Sequence, residues 1–153
     1  PAPPGGEDAS IAGDLQVTGN LSMSTRVVPH TITIALAASA TTDGMDITVS
    51  LKTAAGAALG QVNTLILYMS ETNTGTGLTG DTYSGDLTAT AGSILLALTA
   101  KKAWLVTTSA GGVFSGTLVA SANPTDQYVV AVHPLNGQPV VSAASGTSWE
   151  GAA

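Results

Sequence analysis

The segment Met45-Asp46-Ile47-Thr48-Val49-Ser50-Leu51-Lys52 has an apolar residue at every second position. Successive side chains of a β-strand point to opposite faces, so this alternation predicts a strand with one buried face and one polar face. Further apolar stretches of strand length follow along the chain, separated by turn-forming residues at intervals of about ten residues. The pattern predicts an all-β protein, either an antiparallel β-sandwich or a barrel, with about eight strands.

The remaining strands are predicted from the same kind of pattern on both sides of this segment. They cover residues 26–36, 62–69, 82–90, 93–98, 103–108, 113–120, 127–135 and 139–143. The last two flank Asn136-Gly137, a dipeptide that favours the tight turn of a β-hairpin. Residues 54–59 and 93–103 are also compatible with short helices, because they are rich in Ala and Leu.

The chain is predicted to have three parts. Residues 1–25 form an N-terminal arm, residues 26–144 form the β-sandwich domain, and residues 145–153 form a C-terminal tail. The arm starts with Pro and Gly residues, which favour an extended chain. The tail is polar except for Trp149, and a Trp in a polar terminus is expected to dock on a neighbouring surface.

The arm contains a six-residue repeat, in which residues 13–18 are followed by the similar residues 19–24. The apolar positions of the repeat are Leu15, Val17, Leu21 and Met23. They alternate with polar residues and predict two very short strands. Their apolar face is too small to fold alone. We expect it either to be buried by the same segment of neighbouring chains around a threefold axis, or to form an ordinary hairpin that leads into the domain.

The composition excludes several classes of partner. Charged residues make up 9% of the chain, against roughly 25% in typical soluble domains. A surface of Thr, Ser, Ala and Gly loses little side-chain entropy when another protein covers it, so the chain is expected to pack among others. The net charge is −6 with four basic residues, which does not provide a cationic surface for nucleic acid. No apolar run is long enough to predict a membrane-spanning helix.

The sequence predicts no catalytic residue, metal or other cofactor. The stretch 75–80 matches the pattern G-x-G-x-x-G, but the residues after it have turn and strand character, so we interpret it as a flexible loop rather than a nucleotide site. His30 and His133 are the two histidines, each beside a proline, and the chain has no cysteine and no Gly-x-Ser-x-Gly motif. Each histidine is interpreted as a strand or turn residue.

Two pairs of acids are interpreted as turn residues. Asp43 and Asp46, and Asp81 and Asp86, lack the spacing of a calcium loop or of the paired carboxylates of a glycosidase. A loop carbonyl could still complete a weak calcium site at the second pair. Among the aromatic residues, Tyr83 is the one candidate for an exposed platform that stacks on a sugar.

The repeat Gly13-Asp14-Leu15-Gln16-Val17-Thr18-Gly19-Asn20-Leu21 resembles the GDLxVxGNL segments of tailed-bacteriophage fibres and spikes, which intertwine there as trimers. The stretches 47–52, 54–56 and 128–137 are similar to small β domains of phage particles. Those domains serve as capsid decoration (cement) proteins, head fibres or modules of tail proteins. The resemblance covers most of the chain, implies no catalytic residue, and implies homotrimers seated on the capsid lattice.

The sequence therefore predicts a non-catalytic virion structural protein of the capsid decoration type. We expect it to be made in the host cytoplasm, to bind the major capsid protein on the capsid surface, and to associate with itself as a homotrimer. The predicted capsid or subunit contacts are Leu15, Val17, Leu21, Met23 and Trp149. The alternatives are a fibre or tail module, a carbohydrate-binding adhesin that uses loop residues 70–86, and, as a third class, an enzyme that depends on His133.

Overall fold

The computed structural model of the protein describes residues 31–121, 124, 127–135 and 137–150. These residues form nine β-strands and one short 3-10 helix. The strands are β1 (Thr31–Ala38), β2 (Gly44–Lys52), β3 (Thr64–Ser70), β4 (Thr88–Ala91), β5 (Ser93–Thr99), β6 (Ala103–Thr107), β7 (Val113–Val119), β8 (Tyr128–Val132) and β9 (Pro139–Val141). The 3-10 helix covers Gly146–Ser148. The predicted all-β fold is confirmed.

The strands form two antiparallel sheets that do not close on themselves, as in a β-sandwich. One sheet has four strands in the order β1-β2-β7-β4, and the other has five strands in the order β5-β6-β3-β8-β9. In the four-stranded sheet, Val49 of β2 lies opposite Ile34 of β1 and Phe114 of β7. In the five-stranded sheet, Leu67 of β3 lies opposite Trp104 of β6 and Ala131 of β8.

The core lies between the two sheets and follows the alternation of the sequence. On β2, the four apolar side chains from Met45 to Leu51 are at most 1% exposed, whereas the polar residues between them are partly exposed. The facing sheet contributes Leu65, Leu67, Met69, Trp104 and Val106. Removing each such side chain from water stabilises the fold by roughly 1.5–3 kcal/mol.

The structure corrects the two helix alternatives. The segment 93–103 consists of strand β5 followed by a turn in which Lys101 has a φ of 60°. The segment 54–59 is a turn closed by the Thr53–Ala57 backbone hydrogen bond of 2.9 Å, with an isolated bridge between Lys52 and Ala58. Pairing with neighbouring strands satisfies the backbone groups in both places and overrides the helix preference of Ala and Leu.

Other boundaries differ by a few residues. The predicted strand 82–90 begins only at β4, because the preceding residues form a loop in which Asp86 accepts from the Leu87 N–H and from the indole N–H of Trp104 on β6. The predicted hairpin near the C-terminus is present, since β8 and β9 pair antiparallel. In its turn, the Gly137 N–H donates to the carbonyl of His133 at 2.9 Å, and Gly137 has a φ of 65°. The part of the predicted strand 26–36 before Thr31 lies outside the described residues.

Gly92 carries the chain from one sheet to the other in a single residue, between β4 and β5. Its φ of 78° lies in the left-handed region that side chains avoid. A Cβ atom at this position would lie 2.1 Å from the carbonyl oxygen of Thr107 and 3.2 Å from a ring carbon of Phe114. The crossover therefore requires a residue without a side chain.

We expect Gly92→Ala to lower the free energy of unfolding by more than about 3 kcal/mol, because the left-handed strain and the collision with Thr107 act together. Gly56→Ala is the matched control, since Gly56 has nearly the same φ of 79° but no atom within 4 Å of the added Cβ. Gly56→Ala should lower the free energy of unfolding by only about 1 kcal/mol. Urea denaturation of both variants measures the difference, and equal losses would contradict the crossover argument.

Candidate interaction surface

The middle of the outer face of the five-stranded sheet is apolar. None of the residues in its five strands is charged. The strand register aligns one side chain from each strand in a row across this face. The row consists of Leu96, Leu105, Ile66, Val132 and Pro139. We call this outer surface, together with the leucines of β5, the apolar face.

A second row on the apolar face is partly covered by the loop of residues 71–80. Val130 belongs to this row and is 0% exposed, although it lies outside the core between the sheets. A Cβ on Gly75 would lie 3.1 Å from a methyl group of Val130 and 3.0 Å from one of Val141, so the loop backbone rests on both. The hydroxyl of Tyr68 donates to the Gly75 carbonyl at 2.7 Å and holds the loop there.

The loop of residues 71–80 is held by further hydrogen bonds from its own side chains. The carboxylate of Glu71 accepts from the Gly80 N–H at 2.6 Å and from the Thr79 hydroxyl at 3.3 Å. The Thr72 hydroxyl accepts from the Thr76 N–H at 2.8 Å. The next element after the G-x-G-x-x-G stretch is strand β4 and not a helix, so the phosphate-binding arrangement of that motif is not formed.

Strand β5 leaves three large side chains in contact with solvent. Leu95 and Leu96 are each 56% exposed, and Leu98 is 48% exposed. Within the described residues, β5 pairs with β6 on one side only and therefore forms the edge of the sheet. The pairing shifts register between Ile94 and Leu96 and again between Ala97 and Thr99, and these β-bulges contain Leu95 and Leu98.

The edge of β5 carries no charged residue of the kind that commonly protects sheet edges. Two lysines follow it, but both ammonium groups bind the loop between β3 and β4. Lys101 donates to the carbonyls of Tyr83 and Ser84 at 3.1 and 2.8 Å. Lys102 donates to the carbonyl of Thr79 at 2.9 Å. The leucines of β5 are thus left without a charged neighbour on their own strand.

The outer face of the four-stranded sheet is polar by comparison. The hydroxyls of Thr48 and Ser115 lie 3.3 Å apart, and the Thr117 hydroxyl donates to Asp46 at 2.6 Å. A depression of about 260 Å³ among these residues is lined by hydroxyl groups, methyl groups and the single carboxylate of Asp46. One carboxylate bonded to a neighbouring threonine does not form an acid and base pair.

Tyr83 is buried, so the expectation of an exposed sugar platform is wrong. It is 3% exposed and stacks on Trp149, with ring centroids 6.0 Å apart and planes inclined by 18°. Its hydroxyl donates to the Gln127 side-chain oxygen at 3.1 Å, and the Gln127 amide donates to Asp81 at 3.0 Å. Burial raises the pKa of Tyr83, and the charges of Asp81 and Glu71 act in the same direction.

Trp149 lies in the core of its own chain and is 1% exposed. The next residue fastens this end of the chain, because the Glu150 carboxylate accepts from the Asp43 N–H at 3.0 Å and the Glu150 N–H donates to the Gly44 carbonyl at 2.8 Å. Residues 145–150 therefore pack against the sandwich. The other predicted contact residues, Leu15, Val17, Leu21 and Met23, lie outside the described residues.

The remaining candidate residues are engaged in structural hydrogen bonds. Asp86 accepts from the indole N–H of buried Trp104 and from the Leu87 N–H, each at 2.8 Å. Nδ1 of His133 accepts from the Leu135 N–H at 3.2 Å, and its Nε2 lies 3.2 Å from the Asn63 side-chain oxygen, which fits a neutral ring protonated at Nε2. His30 lies outside the described residues.

Over the described residues, no cluster of three or more His, Cys, Asp or Glu side chains is arranged to hold a metal ion. No helix there has the length and apolar character needed to cross a bilayer. Among the described residues, the candidate site is thus the apolar face, which the sequence pattern did not single out.

In comparisons with protein-family models, with curated proteins and with solved structures, the chain has no match. Its function must therefore be argued from its own residues. The signal that could have revealed the apolar face is the stretch 93–99, which has no polar residue between its terminal Ser and Thr and no alternation. A central strand of a sheet and an edge strand with exposed leucines can have the same sequence pattern. They differ in whether the strand has hydrogen-bonded neighbours on both sides or on one side only.

We expect Asp86→Ala to lower the free energy of unfolding by about 1–2 kcal/mol, because the indole N–H of Trp104 then loses its acceptor. Asp86→Asn is the control, since its side-chain oxygen can still accept this bond, and it should cost clearly less. Chemical denaturation followed by Trp fluorescence measures both. Equal losses of unfolding free energy in the two variants would show that Asp86 does not stabilise the fold through this hydrogen bond.

The stability of the protein should fall as the pH rises above 10.0, the ordinary pKa of tyrosine, because Tyr83 ionises in the unfolded chain before it does so in the folded one. Tyr83→Phe removes this contribution along with the bond to Gln127. Its melting temperature should be lower than that of the wild type at pH 8, and the gap should narrow toward pH 11. A constant gap over this range would argue against burial of the Tyr83 hydroxyl.

Proposed function

We propose that this chain is a structural protein of a virus particle, namely a decoration protein that binds the surface of the assembled capsid as a homotrimer. The observation that carries the proposal is the apolar face. A chain that is 9% charged leaves three leucines of an uncharged edge strand about half exposed. Exposed apolar patches rimmed by polar residues mark surfaces that another protein covers.

Covering such a face provides stability only in the assembled state. Burial of apolar surface is worth roughly 25 cal/mol per Å², and it is gained only when the partner is in place. A protein that binds the assembled shell but not its separate subunits shifts the equilibrium toward the shell. A decoration protein of this kind thus stabilises the capsid through contact area alone, without any chemical step.

The side chains that an enzyme would use support a non-catalytic role. His133 is 3% exposed, and its ring nitrogens lie within hydrogen-bonding distance of neighbouring groups. Asp86 supports Trp104, and the hydroxyl of Tyr83 is bonded to Gln127. A depression of about 160 Å³ beside His133 is otherwise lined by Thr64, Pro134 and Leu135, which supply no second acid or base for a catalytic pair.

A fibre or tail module of the same particle is the second candidate, and the resemblance of residues 13–21 to fibre segments favours it. Either protein would use an apolar face to pack against other chains. The two kinds of protein differ in their copy number per particle, because a decoration protein covers the capsid lattice and a fibre occupies a few positions. The adhesin alternative loses its candidate aromatic platform, since Tyr83 is buried.

The test is whether the chain is part of purified virus particles. Particles from a culture in which the gene is expressed are banded on a density gradient, and peptides of this chain are quantified by mass spectrometry against the major capsid protein. A decoration protein should be present in amounts comparable to the capsid protein. A few copies per particle would indicate a fibre or tail module. Complete absence from banded particles, with the chain found free in the lysate, would contradict the proposal.

A further inference from the structure

We propose that the apolar face is the surface through which copies of this chain associate with one another. The occupant is a neighbouring copy of the chain, and the leucines of β5 from the three copies meet around the threefold axis. This inference rests on the proposed homotrimer and names the contact that would hold it together. It assigns that role to the sandwich rather than to the repeat of residues 13–24.

The charge distribution favours a second copy as the partner. The chain carries a net charge of −6, so two copies repel each other over most of their surfaces. The strands of the apolar face have no charged residue, and like charges are therefore not forced together there. The permanent interfaces of homo-oligomers are more apolar than transient interfaces, which fits contact through this uncharged face.

The layout of the face resembles the centre and rim of an interface. The row that includes Leu96, Leu105 and Ile66 is apolar from one strand to the next. On its far side, the loop of residues 71–80 presents exposed Thr72, Thr74 and Thr76, whose hydroxyls bond to one another and to the loop backbone. An apolar centre with a polar rim is the arrangement that stable interfaces have.

The β-bulges of β5 indicate how the copies meet. A strand that extends a sheet needs an uninterrupted line of N–H and C=O groups along the edge. The two register shifts in β5 interrupt that line and place Leu95 and Leu98 within the bulges. Contact through side chains on the face of the sheet is thus favoured over a sheet that continues from one copy into the next.

The first experiment removes the leucines in the full chain. The triple variant Leu95→Thr/Leu96→Thr/Leu98→Thr keeps strand-forming residues at about half-exposed positions, so its circular dichroism should match that of the wild type. Sedimentation velocity should show the wild type as a trimer and this variant at the mass of a single 15.0 kDa chain. Val62→Thr is the matched control, since Val62 is 51% exposed in the loop before β3 and belongs neither to the strands of the apolar face nor to the loop of residues 71–80, and it should remain a trimer.

Two further variants separate the possible occupants. The variant Leu15→Thr/Val17→Thr/Leu21→Thr/Met23→Thr removes the apolar side chains of the repeat, and it should remain a trimer. If it dissociates while the β5 variant stays trimeric, the repeat holds the trimer and the inference is overturned. If the wild type is a monomer at every concentration, the proposed homotrimer itself fails. Whether the chain is part of virus particles is tested separately, by the density-gradient experiment described above.

A disulfide test does not depend on the triple variant folding. The chain has no cysteine, so a single introduced cysteine can bond only to its copy in another chain. Leu96→Cys should give a covalent dimer on oxidation, visible on a non-reducing gel at micromolar concentration. Thr33→Cys is the control, because Thr33 is an exposed position on the polar outer face of the other sheet. This variant should form no disulfide and should run on the gel as a single chain. Equal yields from the two variants would overturn the inference.

Discussion

The whole structure depends on burial of one face of each sheet against the other. Met45, Ile47, Val49 and Leu51 of β2 meet Leu65, Leu67 and Met69 of β3 in a core from which water is excluded. With few charges and no disulfide, the chain has no other large source of stability. The crossover at Gly92 is required by this arrangement, because it brings β4 and β5 into different sheets within one residue.

Hydrogen bonds from polar side chains fasten the loops and the C-terminal residues to the strands. Asp86 accepts the indole N–H of Trp104, and Glu150 bonds the backbone at Asp43 and Gly44. Tyr83 and Trp149 stack below the surface, with the tyrosine hydroxyl paired to Gln127. These interactions explain why acids and aromatics that look available in the sequence are committed to the fold.

The two sheets differ on their outer faces, and this difference carries the functional argument. The four-stranded sheet turns hydroxyl groups and Asp46 outward, and threonine side chains bond to one another and to that acid. The five-stranded sheet packs one face into the core, and its outer face is uncharged and apolar in the middle rows. The part of this outer face that the described residues leave exposed is the surface that we propose other chains cover.

The pattern of single strands was predictable from the residues, because period-two alternation and turn residues are local properties of a chain. It predicted the all-β class, the position of β2 and the C-terminal hairpin. The pairing of strands is not local, so the sequence left 93–103 open between helix and strand and did not show that β5 stands at an edge with Leu95, Leu96 and Leu98 exposed. Burial of Tyr83 and Trp149 likewise came from tertiary packing, since whether a side chain is covered depends on residues far away in the sequence.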